Sequence, residues 1–599
     1  MSKYEVLERN EIPNELKWDL ESMYKNIEEW NRDYEKCLEL AKRIVSHKGK
    51  LTKTSDNLYN ALKDKDELYR LVEHLYSYSH LRLDEDTRIG SSQELSNKGM
   101  SLIIDVNDKT SFFIPEILTI EEATIKEFLA ENENLKLYEH YLQNILRERD
   151  HVLSSREESI LAQFGEVANA PQKIYSMLND ADLKFPTIKD ENSNDIEITS
   201  GSFIPLMESK NREVRESAFK GLYSTYNSFK NTFAAALDGD LKSNVFNAKI
   251  RNYKNTREAS LSSNNIPLSV YDNLIKTIHD NLGTMYKYMD VRKRVLKLDE
   301  LHMYDLYVPI VDDVNFSIPY GDAVETVKKA LMHLEDEYLT VMNEGFNSGW
   351  IDVIENRGKR SGAYSSGSYD SKPYILLNYH NTLDNVFTIA HEMGHSMHSY
   401  FTRKNQEYIY GDYSIFVAEV ASTTNELLLL NYMINNANNK KEKLYLLNHY
   451  IESFRTTVFR QTMFAEFEQI IHEHLENGGS LTADYLCEEY LKLNKLYYGP
   501  NVVIDNEISI EWARIPHFYY NYYVYQYATG FSAAVALSEK ILKEGEAAVD
   551  SYLTFLKSGS SDYPINVLRK AGVDMTTEEP VNNAMNTFSR LVEEFNELI

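Results

Sequence analysis

The residues in this chain whose types and spacing could do chemistry are two histidines, the glutamate beside the first, and a second glutamate further on: His391, Glu392, His395 and Glu419. In TIAHEMGHSMHSYF, residues 388 to 401, and just before it, Val386, Ile389, Ala390, Met393, Met397 and Tyr400 recur at helical spacing. The segment therefore reads as a helix with one buried face. Asn381 followed by Asp384 offers the cap and a first-turn acid. On such a helix His391 and His395 lie one turn apart on the same side, where two imidazoles can converge on one ion. Glu392 is turned about 100° from His391, so it flanks the ion without ligating it and can hold a water there. This is the HExxH arrangement through which metal-dependent hydrolysis of peptides is performed.

A third ligand is needed. In the pattern with a third histidine after a glycine, the matching positions here are His398 and Phe401, which excludes that solution. His398 lies two turns from His391, too far along the axis for one tetrahedral site, and reads as a packing or outer residue. A glutamate from the next helix is the other solution, and SIFVAEVASTTNELLLL, 414 to 430, supplies Glu419. Its neighbours Phe416, Val417, Val420 and Ala421 predict burial, which an unpaired carboxylate would tolerate poorly and a metal would explain. Glu426, two turns later, either orients a ligating imidazole or forms a surface ion pair. A structural zinc site would close with four protein ligands, usually including cysteine. Cys37 and Cys487, the two cysteines of the chain, lie near none of these motifs.

Hydrolysis by a metal-held water also needs donors for the oxyanion that develops as the carbonyl becomes tetrahedral. HFYYNYYVYQYATG, 517 to 530, holds one histidine and six tyrosines and is the natural place to find them. YILLNY, 374 to 379, reads as an edge strand able to take a substrate backbone by β-augmentation, after a Gly- and Ser-rich loop with Gly362 and Gly367 that could flex over it.

The elements that must position these groups are mostly helical. Residues 14 to 180 place apolar side chains at three and four spacings. At 183 to 203, two alternating runs flank a polar KDENSND, a β-hairpin and the best candidate boundary. Non-helical stretches return at 303 to 311 and 359 to 385, and helices dominate afterwards. A mainly α protein with a small sheet beside the histidine helix follows. At 599 residues, 43% hydrophobic and 26% charged, the chain can build a large core. Asp and Glu outnumber Lys and Arg by 92 to 64, a formal charge of -28, the wrong sign for nucleic acid or anionic membrane partners. The amino terminus is charged with no apolar h-region, and ELLLLNYMI, 426 to 434, falls short of a membrane span. A reducing cytoplasm is the expected setting.

HEMGHSMHSYF, the glutamate in FVAEVAS, GAYSSG, PYILLNY and KWDLESMY together resemble the oligoendopeptidase F family, relatives of thimet oligopeptidase. NREVRESAF, AKIRNYKNTREASLSSNNIP and RIPHFYYNYYVYQYATGFSAA extend the likeness over nearly the whole chain. The resemblance implies a zinc endopeptidase of short peptides: a two-lobed helical body enclosing a deep channel, with a small β-sheet beside the HExxH helix. Residues 1–200 would be an N-terminal helical region ending in a β-hairpin, and 201–599 the catalytic domain. Carried over, the family pattern makes His391, His395 and Glu419 the ligands of one zinc per chain and Glu392 the general base. The family's two tyrosines three apart fall on Tyr522 and Tyr525, with His517 a third candidate oxyanion donor. Gluzincins such as thermolysin have an aspartate four residues after the ligating glutamate; Thr423 stands there, so the group orienting the imidazoles stays open. Two alternatives stand beside this reading. One is a dipeptidyl carboxypeptidase, with Arg514 or Lys372 capturing a free carboxylate; the other is a non-catalytic peptide-binding scaffold.

Overall fold

The computed structural model describes residues 6–311, 314 and 316–599; the first five residues of the charged amino terminus lie outside them. Helices predominate. Those used below are α1 (Ser55–Glu85), α2 (Gly90–Thr110), α3 (Leu383–Asn405), α4 (Ile415–Asn435), α5 (Arg460–Glu476) and α6 (Tyr525–Glu544). Among the described residues the strands are short: β1 (Thr187–Lys189), β2 (Asp195–Glu197), β3 (Leu301–His302), β4 (Ile351–Asp352), β5 (Tyr364–Ser366), β6 (Tyr374–Leu376) and β7 (Val502–Val503). The hairpin expected at 183 to 203 forms, with β1 antiparallel to β2 and Ile188 opposite Ile196. β3 and β7 pair in parallel.

The chain makes two compact units, each from three separated stretches. The first takes Met1–Asp150, Phe316–Tyr432 and Leu537–Val573; the second takes His151–Asn315, Met433–Ala536 and Asp574–Ile599. Residue 200, the division read from the sequence, falls inside the second unit.

In the first unit, Thr54 caps α1 by accepting from the Asn57 N–H, one of the four donors a helix start leaves free. α1 and α2 then bury Leu58, Leu62, Leu75, Leu102 and Val106 in one core with Trp30, Tyr374 and Leu376. Full burial of each such aliphatic side chain contributes about 1.5–3 kcal/mol. The small sheet runs β4-β6-β5, with β6 parallel to β4 and antiparallel to β5. This corrects the edge-strand reading of 374 to 379. β6 is the central strand with all three side chains buried, so both neighbours already take its backbone groups and none is left for a peptide. β5 is the edge.

α3 packs on β5 and β6 and on the helices Tyr320–Ala330, Glu335–Asn347 and Glu546–Leu556. It buries Val386, Ile389, Ala390, Met393, Met397 and Phe401. Its cap is Thr382, whose side chain accepts from the Asn385 N–H. Asn381, the cap read from the sequence, instead turns the chain into the helix at φ 62°. The Gly- and Ser-rich loop is tied down at its far end. His74 Nδ1 meets Ser368 Oγ at 2.7 Å, and Arg70 pairs with Asp370.

Candidate metal centre

Each donor of the site owes its place to local sequence. α3 buries its apolar stripe and thereby turns His391 and His395 to the opposite, half-buried side. α4 buries Phe416, Val417, Val420 and Ala421, which leaves Glu419 on its flank. The burial expected for Glu419 is therefore not met, and its side chain keeps 49% of its exposure. The two helices approach closely at Gly394, inside the motif. A Cβ there would lie 2.5 Å from Ser422 Cα, nearer than real Cβ contacts allow, so only glycine permits this crossing. Asn425 reinforces it by donating to Ala390 O at 3.1 Å and bonding the buried Tyr338 hydroxyl.

The result is a convergence of three lone-pair donors. His391 Nε2 and His395 Nε2 are 3.2 Å apart, and Glu419 Oε2 lies 3.4 Å from each. Among the described residues this is the one group of histidine, cysteine or acidic side chains close enough to hold an ion. Donors bound at about 2.0–2.2 Å to one tetrahedral zinc ion are separated by about 3.3–3.6 Å, so these residues fit such an ion after a shift of about 0.1 Å between the two imidazoles.

Glu426 resolves the orientation question that Thr423 leaves open. Its Oε1 accepts from His391 Nδ1 at 2.5 Å, which fixes the ring and leaves Nε2 facing the other donors. Burial opposes charge on His391, but the hydrogen bond and charge of Glu426 outweigh it and push the imidazole up to about 9. A cation held at Nε2 must displace that proton. The hydrogen bond to His395 holds Glu419 below the usual carboxylate range against the opposing pull of burial. Glu392 is 7% exposed, and burial raises its affinity for a proton, aided by the charge of Glu419 and countered by the two histidines.

His398 takes no part. It is fully buried, stacked on Tyr413 at 3.7 Å and against Phe555, and among the described residues neither ring nitrogen has a hydrogen-bond partner. Burial pushes it down to about 3: a neutral packing residue.

The candidate donors of the aromatic segment in the second unit differ in burial. Tyr522 and Tyr525 are buried, at 1% and 3% exposure, with rings against Tyr271, and Tyr522 also faces His472. Asn521 and Tyr522 both adopt positive φ, 41° and 56°, and Glu468 on α5 locks the turn by accepting from the Tyr522 N–H. This turn breaks the helical spacing before α6 begins. It puts Tyr520, Tyr523 and Tyr527, with His517, on the accessible side, where His517 Nε2 meets the Tyr527 hydroxyl at 3.2 Å. Burial lowers the His517 pKa. The cue that could have separated these tyrosines is the Asn in YYNYY, a residue that tolerates the left-handed region.

Comparison with known proteins gives a consistent result. The sequence profile of Peptidase family M3 matches residues 205–587, and that of Oligopeptidase F matches 116–185. Oligopeptidase PepF of Bacillus subtilis is 51% identical over 99% of this chain and 88% of its own length. Group B oligopeptidase PepB of Streptococcus agalactiae is 42% identical over 98% and 97%. Among solved structures, a putative peptidase from Chlamydophila abortus superposes with a TM-score of 0.92 at 37% identity, covering 99% of this chain and 100% of that one. Oligoendopeptidase-F from Enterococcus faecium gives 0.74 at 42%, covering 95% and 99%.

Proposed function

The chain belongs to peptidase family M3, and on that premise we propose that it is a zinc-dependent endopeptidase cleaving internal bonds of short peptides. The observation that carries the reading is the convergence of His391 Nε2, His395 Nε2 and Glu419 Oε2, 3.2 to 3.4 Å apart, with Glu392 buried beside them. One zinc ion per chain, when bound, supplies a water whose pKa falls towards ~7 and a Lewis acid for the scissile carbonyl.

The chain's own residues do the rest. Glu426 keeps the proton of His391 on Nδ1, so that Nε2 offers its lone pair. A Glu392 carboxylate oxygen takes the proton of the attacking water and passes it to the leaving amine. Its burial suits both halves of that task, because it brings the proton affinity closer to neutral pH. The oxyanion-donor role stays a proposal for the three residues that the family pattern names, Tyr522, Tyr525 and His517.

Two observations favour the endopeptidase over release of carboxyl-terminal dipeptides. Lys372 donates to Asp19 and to Ser348 O, and Arg514 lies over the Phe203 ring with Glu511 within 3.9 Å. Both cations offered for a free carboxylate are already engaged. The names of the relatives support peptide substrates of limited length. We place the protein in a reducing cytoplasm, which suits its two free cysteines, and its net charge of -28 disfavours nucleic acid and anionic membranes. Mass spectrometry of the products from a nonapeptide and from native casein tests the reading. Internal cleavage of the nonapeptide with casein spared is expected; release of carboxyl-terminal dipeptides alone, or equal attack on casein, would overturn it.

A further inference from the structure

The first unit contains a cavity of about 490 Å³ that no residue of the metal centre lines. Tyr69, Tyr76, Tyr369 and Tyr408 wall it, the last two meeting edge to face at 5.4 Å. Besides Lys65 and Asp412, three charged side chains line the same space: Asp66, Glu73 and Arg403. Asp66 accepts from the Tyr138 hydroxyl at 2.8 Å and Glu73 from the Tyr369 N–H at 3.1 Å. Neither carboxyl has a cation within ion-pair distance among the described residues. Burial pushes Asp66 up to about 6 and raises Glu73 as well. Arg403 is matched no better. Its Nη2 reaches Gly367 O only at 3.4 Å, and its buried Nη1 has no acceptor among the described residues. Lys65, the remaining lining cation, is committed to the Tyr141 hydroxyl and the rings around it.

A buried guanidinium donor without an acceptor is unusual and calls for one. Half-buried carboxyls whose nearest cations, Lys65 and Arg70 for Asp66 and Arg403 for Glu73, stay outside ion-pair contact leave room for a cation between them. An aromatic enclosure suits a flat or bulky apolar body. One ligand class answers all three. We propose that this cavity binds the zwitterion of a free α-amino acid with an aromatic or large apolar side chain. Its α-carboxylate would lie on Arg403, its α-ammonium towards Asp66 and Glu73, and its side chain among the tyrosines. A simple anion would leave the two carboxyls opposed to it, and a simple amine would leave Arg403 unanswered.

The position gives the ligand a reason. Arg403 stands near the end of α3, and Tyr408 to Asp412 belong to the connection that leads from α3 to α4. Those two helices carry all three donors of the metal centre. The inference takes its purpose from the peptidase reading, because free amino acids are what peptide breakdown finally releases. Its test does not depend on turnover.

L-Phenylalanine is titrated calorimetrically into the full-length, zinc-loaded protein, beside phenylalaninamide, which lacks the carboxylate, and 3-phenylpropanoate, which lacks the amine. The expected result is a Kd of about 1 mM or tighter for the amino acid and at least about tenfold weaker binding of both analogues. Arg403→Gln, with circular dichroism confirming its fold, should weaken phenylalanine to the same degree, and Glu392→Gln should not. Absence of binding, equal binding of the three compounds, or binding lost in Glu392→Gln and kept in Arg403→Gln would overturn the proposal. Should Arg403→Gln fail to fold, the analogues on the unmodified protein decide. Binding of phenylalanine without any peptide hydrolysis would sink the reading of the metal centre and leave this one standing.

Discussion

Glu511 in the second unit and Glu419 in the first are both carboxylates held below their ordinary proton affinity, yet their surroundings are built on opposite plans. Glu511 is 1% exposed and its oxygens are answered by donors. Oε1 accepts from the Tyr223 hydroxyl at 2.9 Å and Arg460 Nη2 at 2.7 Å. Oε2 accepts from the Tyr490 hydroxyl at 2.6 Å and Arg460 Nη1 at 3.2 Å. Around Glu419 the closure is thinner, with the Ser422 hydroxyl donating to Oε2 at 3.2 Å. Two imidazole nitrogens and a carboxylate oxygen lie within 3.4 Å, and the proton on His391 Nδ1 is already given to Glu426. A network closed by its own donors holds a fold together. Nitrogen and oxygen atoms crowded on one point and half open to solvent suit the cation proposed for them.

The sharpest way to break this contrast is to remove a donor from the open cluster. His395→Ala and Glu419→Gln should each lose stoichiometric zinc and bring nonapeptide hydrolysis to background, while the melting temperature of the metal-free protein stays near that of the parent. Full zinc occupancy in either variant, measured by elemental analysis, would contradict it. Glu392→Gln should separate holding the ion from using it, with zinc content unchanged and kcat lower by ~10²–10⁴. The same kind of change in the closed network should act on stability alone. Glu511→Gln strips Arg460 of its counter-charge and should cost about 3–5 kcal/mol in denaturant unfolding, with zinc content as before.

Acid sharpens that point. Burial alone would raise Glu511, but Arg460 outweighs it and holds the carboxyl down to about 2. Because the folded pKa is depressed, the contribution is present above about pH 4.5 and is lost as pH falls towards 2. At full strength it amounts to about 3 kcal/mol. The parent should therefore lose stability over that window more steeply than Glu511→Gln; parallel pH profiles would count against the assignment. The smallest effect is expected for Glu426→Gln, which disturbs only the orientation of His391. Zinc affinity should fall by ~10–100-fold, read by competition with a chromophoric chelator.

Much of the candidate site's geometry was legible in the sequence because helical spacing alone places His391 and His395 on one side and Glu392 on the flank. Glu419 was found for a partly mistaken reason. Its apolar neighbours face inward, as the pattern says, but a helix that buries 416, 417, 420 and 421 leaves 419 at the margin. Glu426 could be named as a candidate but not assigned, since pairing with His391 depends on how closely α3 and α4 cross, and Gly394 sets that through Ser422. The strand at 374 to 379 looked like an edge because its length and turn signals say nothing about neighbours. β4, more than twenty positions earlier, and β5 enclose it. Tyr522 and Tyr525 were named from the family pattern, which says nothing of burial; both are buried beside a turn with two successive residues at positive φ, which no local spacing reports. The two units, each assembled from three stretches, follow long-range contacts that no local composition shift reports.

The central claim is that His391, His395 and Glu419 hold the one ion on which hydrolysis depends. The most direct test is zinc titration into metal-free protein, with bound metal counted by native mass spectrometry and cleavage of an internally quenched nonapeptide followed in the same samples. The account predicts a rate that rises in proportion to occupancy and breaks at one zinc per chain, with Glu419→Gln showing neither occupancy nor rate. A rate already maximal before zinc is added, or stoichiometric zinc with no cleavage, would contradict it.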